Sequence, residues 1–245
     1  MRRHFDSFLL VVLAVALWEA ASLAVGARSL ATPWRTAVTL VSLLRDDEFL
    51  GDVAATAEAL GYAVVLSMLG GVVLGVVLGS RRLAGEVMEP ILASLYALPK
   101  VTLYPLVLLV FGLGLSARVA FGAMHGLVPV ALLVMTAVRN IKPILPRSAR
   151  AMRLRRWQII WTVLLPATLP DLLAALRLGF SLSLLGVLVG EMFAAKQGLG
   201  FVVMNAVAFD DLPRILAVIV LLFGFAILVN QALAAAARRI QPGSG

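Results

Sequence analysis

The sequence has no cysteine and only two histidines, His4 and His125. Disulfide frameworks, thiolate metal sites and cysteine nucleophiles are therefore excluded. His125 has no second His or acidic residue three or four positions away, so it is no metal centre and carries no catalytic expectation. Charge is scarce as well. Only 14% of residues are charged, 62% are hydrophobic, and the mean hydropathy is +1.01. A soluble domain is about 45–50% apolar, so water is not the main solvent of this chain. Phosphate-loop, Gly-x-Ser-x-Gly and His-Glu-x-x-His motifs are all missing, which leaves no sign of nucleotide hydrolysis or of common hydrolytic chemistry. The expectation is a non-enzyme that binds no cofactor or metal of its own.

What the sequence does contain is long apolar runs. Six stretches approach the ~20 residues that cross ~30 Å of hydrocarbon: Phe8 to Val25, Ala59 to Gly79, Val87 to Leu113, Arg118 to Val138, Leu172 to Ala194 and Ile215 to Ala237. Backbone groups inside lipid must be satisfied within the segment, and these runs lack the alternation of barrel strands, so an all-α membrane fold is expected. Pro90, Pro99 and Pro105 interrupt the third stretch, and Lys100 sits near its middle, which predicts a kinked or broken helix. Arg2 and Arg3 ahead of the first run also fit a signal peptide, with Ala24-Val25-Gly26-Ala27 as cleavage site. The length of the run and the five spans after it favour an uncleaved span. The expected division is an N-terminal span and connection over 1–58, a five-span core over 59–240, and a tail at 241–245 whose Gly243-Ser244-Gly245 resembles a cloning remnant.

The net charge of +8 is explained by membrane orientation and not by nucleic acid. With both termini inside, Arg2, Arg3, Arg81, Arg82, Arg238, Arg239 and the seven cations between Arg139 and Arg156 are cytoplasmic. Arg28, Arg35, Arg45, Arg118, Lys196 and Arg214 fall outside, diluted by Asp46, Asp47, Glu48, Asp52, Glu58, Asp210 and Asp211. Small residues recur four apart at Gly71, Gly75 and Gly79, at Gly122 and Gly126, and at Gly186 and Gly190. This spacing lets helices approach closely, either within one subunit or between two copies.

Ionisable groups within spans are costly, which makes them candidates for function. Arg177 lies six residues past Asp171, roughly 9 Å along a helix, so it can snorkel to the cytoplasmic interface or pair structurally. Glu191 lies roughly 30 Å along the same span, where an external gate and an exposed interfacial carboxylate are both consistent with its position. Lys100 suits a substrate path or a partner for freed carbonyls. Glu19 and His125 read as packing groups, the histidine hydrogen-bonded to a neighbouring helix.

The segment from Arg139 to Pro166 carries the densest charge. Pro146 can open a helix, and no breaker follows until Pro166 and Pro170, which should stop it running into the next span. Leu145, Ala149 and Met152 would share one side, with Arg147, Arg150 and Arg153 beside them. By itself this short basic amphipathic helix also fits an anchor on anionic headgroups.

The order of features around it is more specific. The sequence runs through Leu98-Pro99-Lys100, Tyr104-Pro105-Leu106 and Phe111-Gly112-Leu113-Gly114. After the loop come Val163-Leu164-Leu165-Pro166 with Pro170, Leu176-Arg177-Leu178-Gly179, Gly190-Glu191 and Gly198-Leu199-Gly200. Over roughly residues 50–240 this resembles the permease subunits of binding-protein-dependent ABC importers, in the branch serving sulfonates, taurine and nitrate. The resemblance implies a MetI-like type I permease fold in the bacterial inner membrane. It implies partnership with an ABC ATPase dimer that uses ATP, a periplasmic or lipoprotein solute-binding protein and a second copy of the chain. The ATPase would dock on a coupling helix at Arg147, Ser148, Ala149, Arg150, Ala151, Met152, Arg153 and Leu154. The family's Glu-Ala-Ala-x-x-x-Gly motif falls on Arg147, Ser148, Ala149 and Arg153, so arginine replaces both its acidic residue and its glycine. Lys100, Arg177, Glu191, Gly198, Leu199 and Gly200 would belong to the translocation path or gate. The competing reading is a secondary transporter or channel that needs no ATPase and uses Lys100, Arg177 and Glu191 as a charge relay. The absence of clear internal repeats weighs against it.

Overall fold

The structure is a computed structural model that describes residues 2–26 and 30–240. Arg28, Ala27 of the proposed cleavage site and the 241–245 tail lie outside the described residues. Among the described residues every regular element is helical. Helix α1 (Arg2–Val25) leaves its leucines and valines exposed, and Trp18 Nε1 donates to the Ala31 carbonyl at 3.0 Å. Helix α2 (Pro33–Leu43) starts on a Thr32 cap with proline at its first position, a place where the missing N–H costs nothing.

Helix α3 (Asp47–Ser80) is capped by Asp46, whose Oδ1 accepts from the Glu48 N–H at 3.1 Å, and Asp47 and Glu48 favour the same helix terminus electrostatically. Its 34 residues extend about 51 Å at 1.5 Å per residue, well beyond the apolar run from Ala59. The chain continues as α4 (Arg82–Ala97), a 3₁₀ turn (Lys100–Leu103) and α5 (Tyr104–Phe111). The two halves meet at 87°, which fulfils the expectation of a broken third span. Pro99 supplies the break, since it removes an N–H and forces Leu98 into extended backbone.

Helix α6 (Leu115–Arg139) is followed by α7 (Ile144–Ala151), α8 (Arg156–Ile159), a π-turn (Ile160–Leu164), α9 (Leu165–Ala194), α10 (Leu199–Ala208) and α11 (Leu212–Ile240). Here the structure corrects the sequence reading in two ways. The amphipathic helix ends at Ala151, not near Trp157, and Pro166 with Pro170 does not interrupt the next span. Instead, the segment from Trp157 to Ala194 forms one long apolar helix. The π-turn widens the spiral just ahead of Pro166, which stands in the first turn of α9 where a missing N–H is tolerated, and beyond it Thr168 Oγ1 donates to the Leu164 carbonyl at 2.9 Å.

Among the described residues four helices, namely α3, α6, Trp157–Ala194 and α11, are long and apolar enough to cross a membrane. The bent α4/α5 pair makes a fifth, and the apolar part of α1, Leu9–Val25, is shorter than the four. Helix α6 is the centre of the bundle, packed between α3 and α9, while α11 is the least enclosed of the four. Small residues make that packing possible. A Cβ on Gly75 would sit 2.7 Å from both the Ala131 carbonyl and Val134 Cβ, and one on Gly71 would sit 2.6 Å from Val130 Cγ1. Gly122 and Gly126 similarly abut Ala63 and Ser67 of α3 and Val187 and Ser183 of α9. The glycine spacing thus serves helix packing within this chain.

Candidate functional site

Two places combine ionisable side chains with irregular backbone, the first buried and the second exposed, and they lie at opposite ends of α6. Arg118 is in its first turn and Arg139 in its last, about 32 Å apart at 1.5 Å per residue.

At the Arg118 end, Glu191 is only 1% exposed. The sequence left open an exposed interfacial carboxylate, and the fold rules that out. Glu191 receives the Thr56 hydroxyl at 2.9 and 3.0 Å, the Gly200 N–H at 2.9 Å and Arg118 Nη1 at 3.3 Å. Thr56 Oγ1 in turn accepts the Leu199 N–H at 2.8 Å, and Asp52 Oδ1 accepts the Gly198 N–H at 2.7 Å. Three successive N–H groups at the start of α10 are thereby satisfied from α3 and α9. A helix start has unpartnered N–H groups and a partial positive charge, so carboxylates stabilise it. The arrangement also needs glycine. Gly198 has φ +109, and a side chain there would run into the Glu191 carboxylate. Tyr104 of α5 closes the cluster by donating its hydroxyl to the Gly190 carbonyl at 2.6 Å, with its ring edge-on to Phe121 at 4.8 Å.

Arg118, counted from sequence as an external charge, is 3% exposed and is the cation that Glu191 faces. Asp52 and Thr56 were missed as well, because their partners lie 146 and 143 residues away. One signal was available for Arg118: an acid within a span needs a cation, and Arg118 was the arginine at the corresponding end of the preceding span.

At the other end, α7 projects from the bundle between α6 and the π-turn. Arg147, Ser148, Arg150, Ala151, Met152 and Arg153 are exposed, Leu154 is half-buried, and Ala149 is buried. The expected apolar side is split, since Ala149 faces the protein while Met152 points outward. The helix ends in a Schellman turn: the Arg153 N–H donates to the Arg150 carbonyl at 2.9 Å and the Leu154 N–H to the Ala149 carbonyl at 3.2 Å. Arg153 occupies its left-handed position at φ 55. That geometry favours glycine, the residue carried here by the motif that this loop resembles. Across a pocket shared with Pro146, Arg139 bonds Glu89 of α4 at 2.5 Å and ties the broken span to the end of α6.

The remaining candidates are not drawn together. Lys100 Nζ donates to the Tyr96 carbonyl at 3.0 Å and lies over the Tyr96 ring at 5.0 Å, so it partners a carbonyl near the Pro99 break. Arg177 is exposed on α9 and forms no ion pair among the described residues. His125 Nδ1 meets the Phe121 carbonyl of its own helix at 2.9 Å, one turn back, and not a neighbouring helix as expected. No cluster of three metal-ligating side chains occurs among the described residues.

A central helix enclosed by two others, a broken span beside it and a short helix projecting from one end define a multi-pass helical membrane protein. The family model for the binding-protein-dependent transport system inner membrane component matches residues 71–242, and the chain belongs to that family. It is 28% identical over 192 residues to the taurine transport system permease protein TauC of Escherichia coli (strain K12), covering 78% of this chain and 70% of TauC. It is 26% identical over 217 residues to the putative aliphatic sulfonates transport permease protein SsuC of Bacillus subtilis (strain 168), covering 87% and 78%. A solved inward-facing structure of the MetNI methionine ABC transporter shares the fold, with a TM-score of 0.68, 22% identity and coverage of 78% of this chain and 94% of that one. The chain is an ABC importer permease subunit, and its family is one of transport components and not of enzymes.

Proposed function

We propose that this subunit forms half of a translocation path for a small organic or inorganic anion, and that α7 receives the movement of a separate ABC ATPase. The observation that carries this reading is the left-handed turn at Arg153, which closes a projecting basic helix where the family motif has glycine. The names of the taurine and aliphatic-sulfonate relatives support an anionic or zwitterionic substrate. Two copies would pair, with the ATPase dimer at the α7 end and a solute-binding protein at the Arg118 end. The excess of basic residues at the α7 end supports a cytoplasmic placement for it and for both termini. Residues 59–240 would form the transport core. ATP binding would draw the two α7 helices together and turn the bundle from inward-open to outward-open, and hydrolysis would reset it.

Co-purification with candidate ATPases, followed by transport assays in proteoliposomes, tests this. Transport should require both the ATPase and ATP. Uptake that continues unchanged without them would sink the reading in favour of a secondary transporter.

A further inference from the structure

Beside the Arg118–Glu191 pair lies a pocket of about 260 Å³, lined among others by Gly114, Leu115, Arg118, Ala195, Lys196 and Gln197. We propose that it binds one small oxyanion, a sulfonate or phosphate group, through Arg118 and Lys196.

The first reason is the unequal satisfaction of the pair on its floor. Glu191 takes its two short hydrogen bonds from the Thr56 hydroxyl and the Gly200 N–H, and Arg118 adds only the longer contact. Arg118 is 4% exposed at its side chain and makes only long contacts: Nη1 to Glu191 at 3.3 Å, Nη1 to the Gln197 carbonyl at 3.5 Å and Nε to the Gly114 carbonyl at 3.4 Å. Its second terminal nitrogen, Nη2, has no hydrogen-bond partner among the described residues and is not sealed from the pocket. A guanidinium held in place from one edge with donors left over is suited to an oxyanion.

The second reason is what surrounds it. Gly114 precedes α6 and offers no capping side chain, so the positive end of this 25-residue helix opens on the same pocket. Lys196 is exposed on the rim and forms no ion pair among the described residues. Glu191 beneath is the one acid paired with Arg118 among the described residues. The volume lies below the roughly 300–1,000 Å³ of drug-sized sites, which suits a head group with a few carbons and not a nucleotide. The anion would come from solution or from the phosphate of a lipid. The inference deepens the transport reading, on which its biological sense rests, although the binding itself does not.

The full chain in phosphatidylcholine nanodiscs, titrated calorimetrically with ethanesulfonate, should show saturable binding. Lys196→Gln should weaken that binding about tenfold, the loss of one charge-assisted contact, and Lys142→Gln at the other end should leave it unchanged. Arg118→Lys, checked for an unchanged melting temperature, should also weaken it. In phosphatidylglycerol nanodiscs, unchanged ethanesulfonate binding assigns the site to a dissolved anion. Competition, with phosphatidylglycerol retained by the wild type and lost from Lys196→Gln, assigns it to a headgroup, and either result upholds the oxyanion site. Absence of saturable binding in both lipids, or equal binding by the wild type and Lys196→Gln, overturns it. ATPase association measured on the same samples reports separately on the transport reading.

Discussion

Glu191 Oε2 accepts the backbone N–H of Gly200, nine residues on, at 2.9 Å. This bond folds the end of α9 back onto the start of α10. Because Thr56 joins the same carboxylate to the Leu199 N–H, the turn is pinned to α3 as well. One buried acid thus fixes the relative placement of three helices.

Removing that acid should be costly. Glu191→Ala leaves Arg118 buried without its counter-charge and the Gly200 N–H without an acceptor, a change of about 3–5 kcal/mol. Glu191→Gln keeps an acceptor for both and should cost less. Thermal unfolding in detergent micelles should rank wild type above Gln above Ala, and equal midpoints for Gln and Ala would contradict the network.

Tyr104 joins the broken span to α9 through its hydroxyl. Tyr104→Phe retains the edge-on contact with Phe121 and loses only the bond to the Gly190 carbonyl, at a cost of about 1 kcal/mol. Tyr104→Ala also empties a buried aromatic site, at about 3–5 kcal/mol. The same melting experiment separates the two.

Two glycines of α3 make a matched comparison. Gly75 faces the α6 backbone, so Gly75→Ala must push the helices apart, at about 1–3 kcal/mol. Gly61 has nothing within 4 Å of an added Cβ, and Gly61→Ala should be neutral or slightly stabilising, because alanine is the better helix former. Equal effects at the two sites would disprove the close α3/α6 contact.

The α7 turn offers a gain. Arg153→Gly removes the left-handed penalty of about 1–2 kcal/mol and should slow amide exchange at Leu154, whose N–H closes the turn. Reversing Arg150 and Arg153 to Glu should weaken ATPase association while leaving membrane insertion intact. Unaltered association would reduce the loop to a lipid anchor.

Much of this architecture is legible along the chain because lipid imposes local rules. Uninterrupted apolar length predicts helices, Pro99 predicts the broken span, and the cations from Arg139 to Arg156 mark one end of the molecule. Prolines proved less decisive at Pro166 and Pro170, through which the helix runs on, and a helix with no breaker before Trp157 still stopped at Ala151. That stop depends on a left-handed residue that no arginine advertises.

The amino-acid sequence by itself determined the class, most of the spans and the distinctive segments, including Gly190-Glu191 and Gly198-Leu199-Gly200, since each follows from hydropathy or from residue types close together in the chain; of the six expected spans the first, Leu9–Val25, is shorter than a full crossing. Only the tertiary structure decided that these two segments are one unit with Asp52, Thr56, Tyr104 and Arg118. The reason is physical: a buried carboxylate must gather its donors in space, and here they come from α3, α6 and α10, as far as 135 residues away.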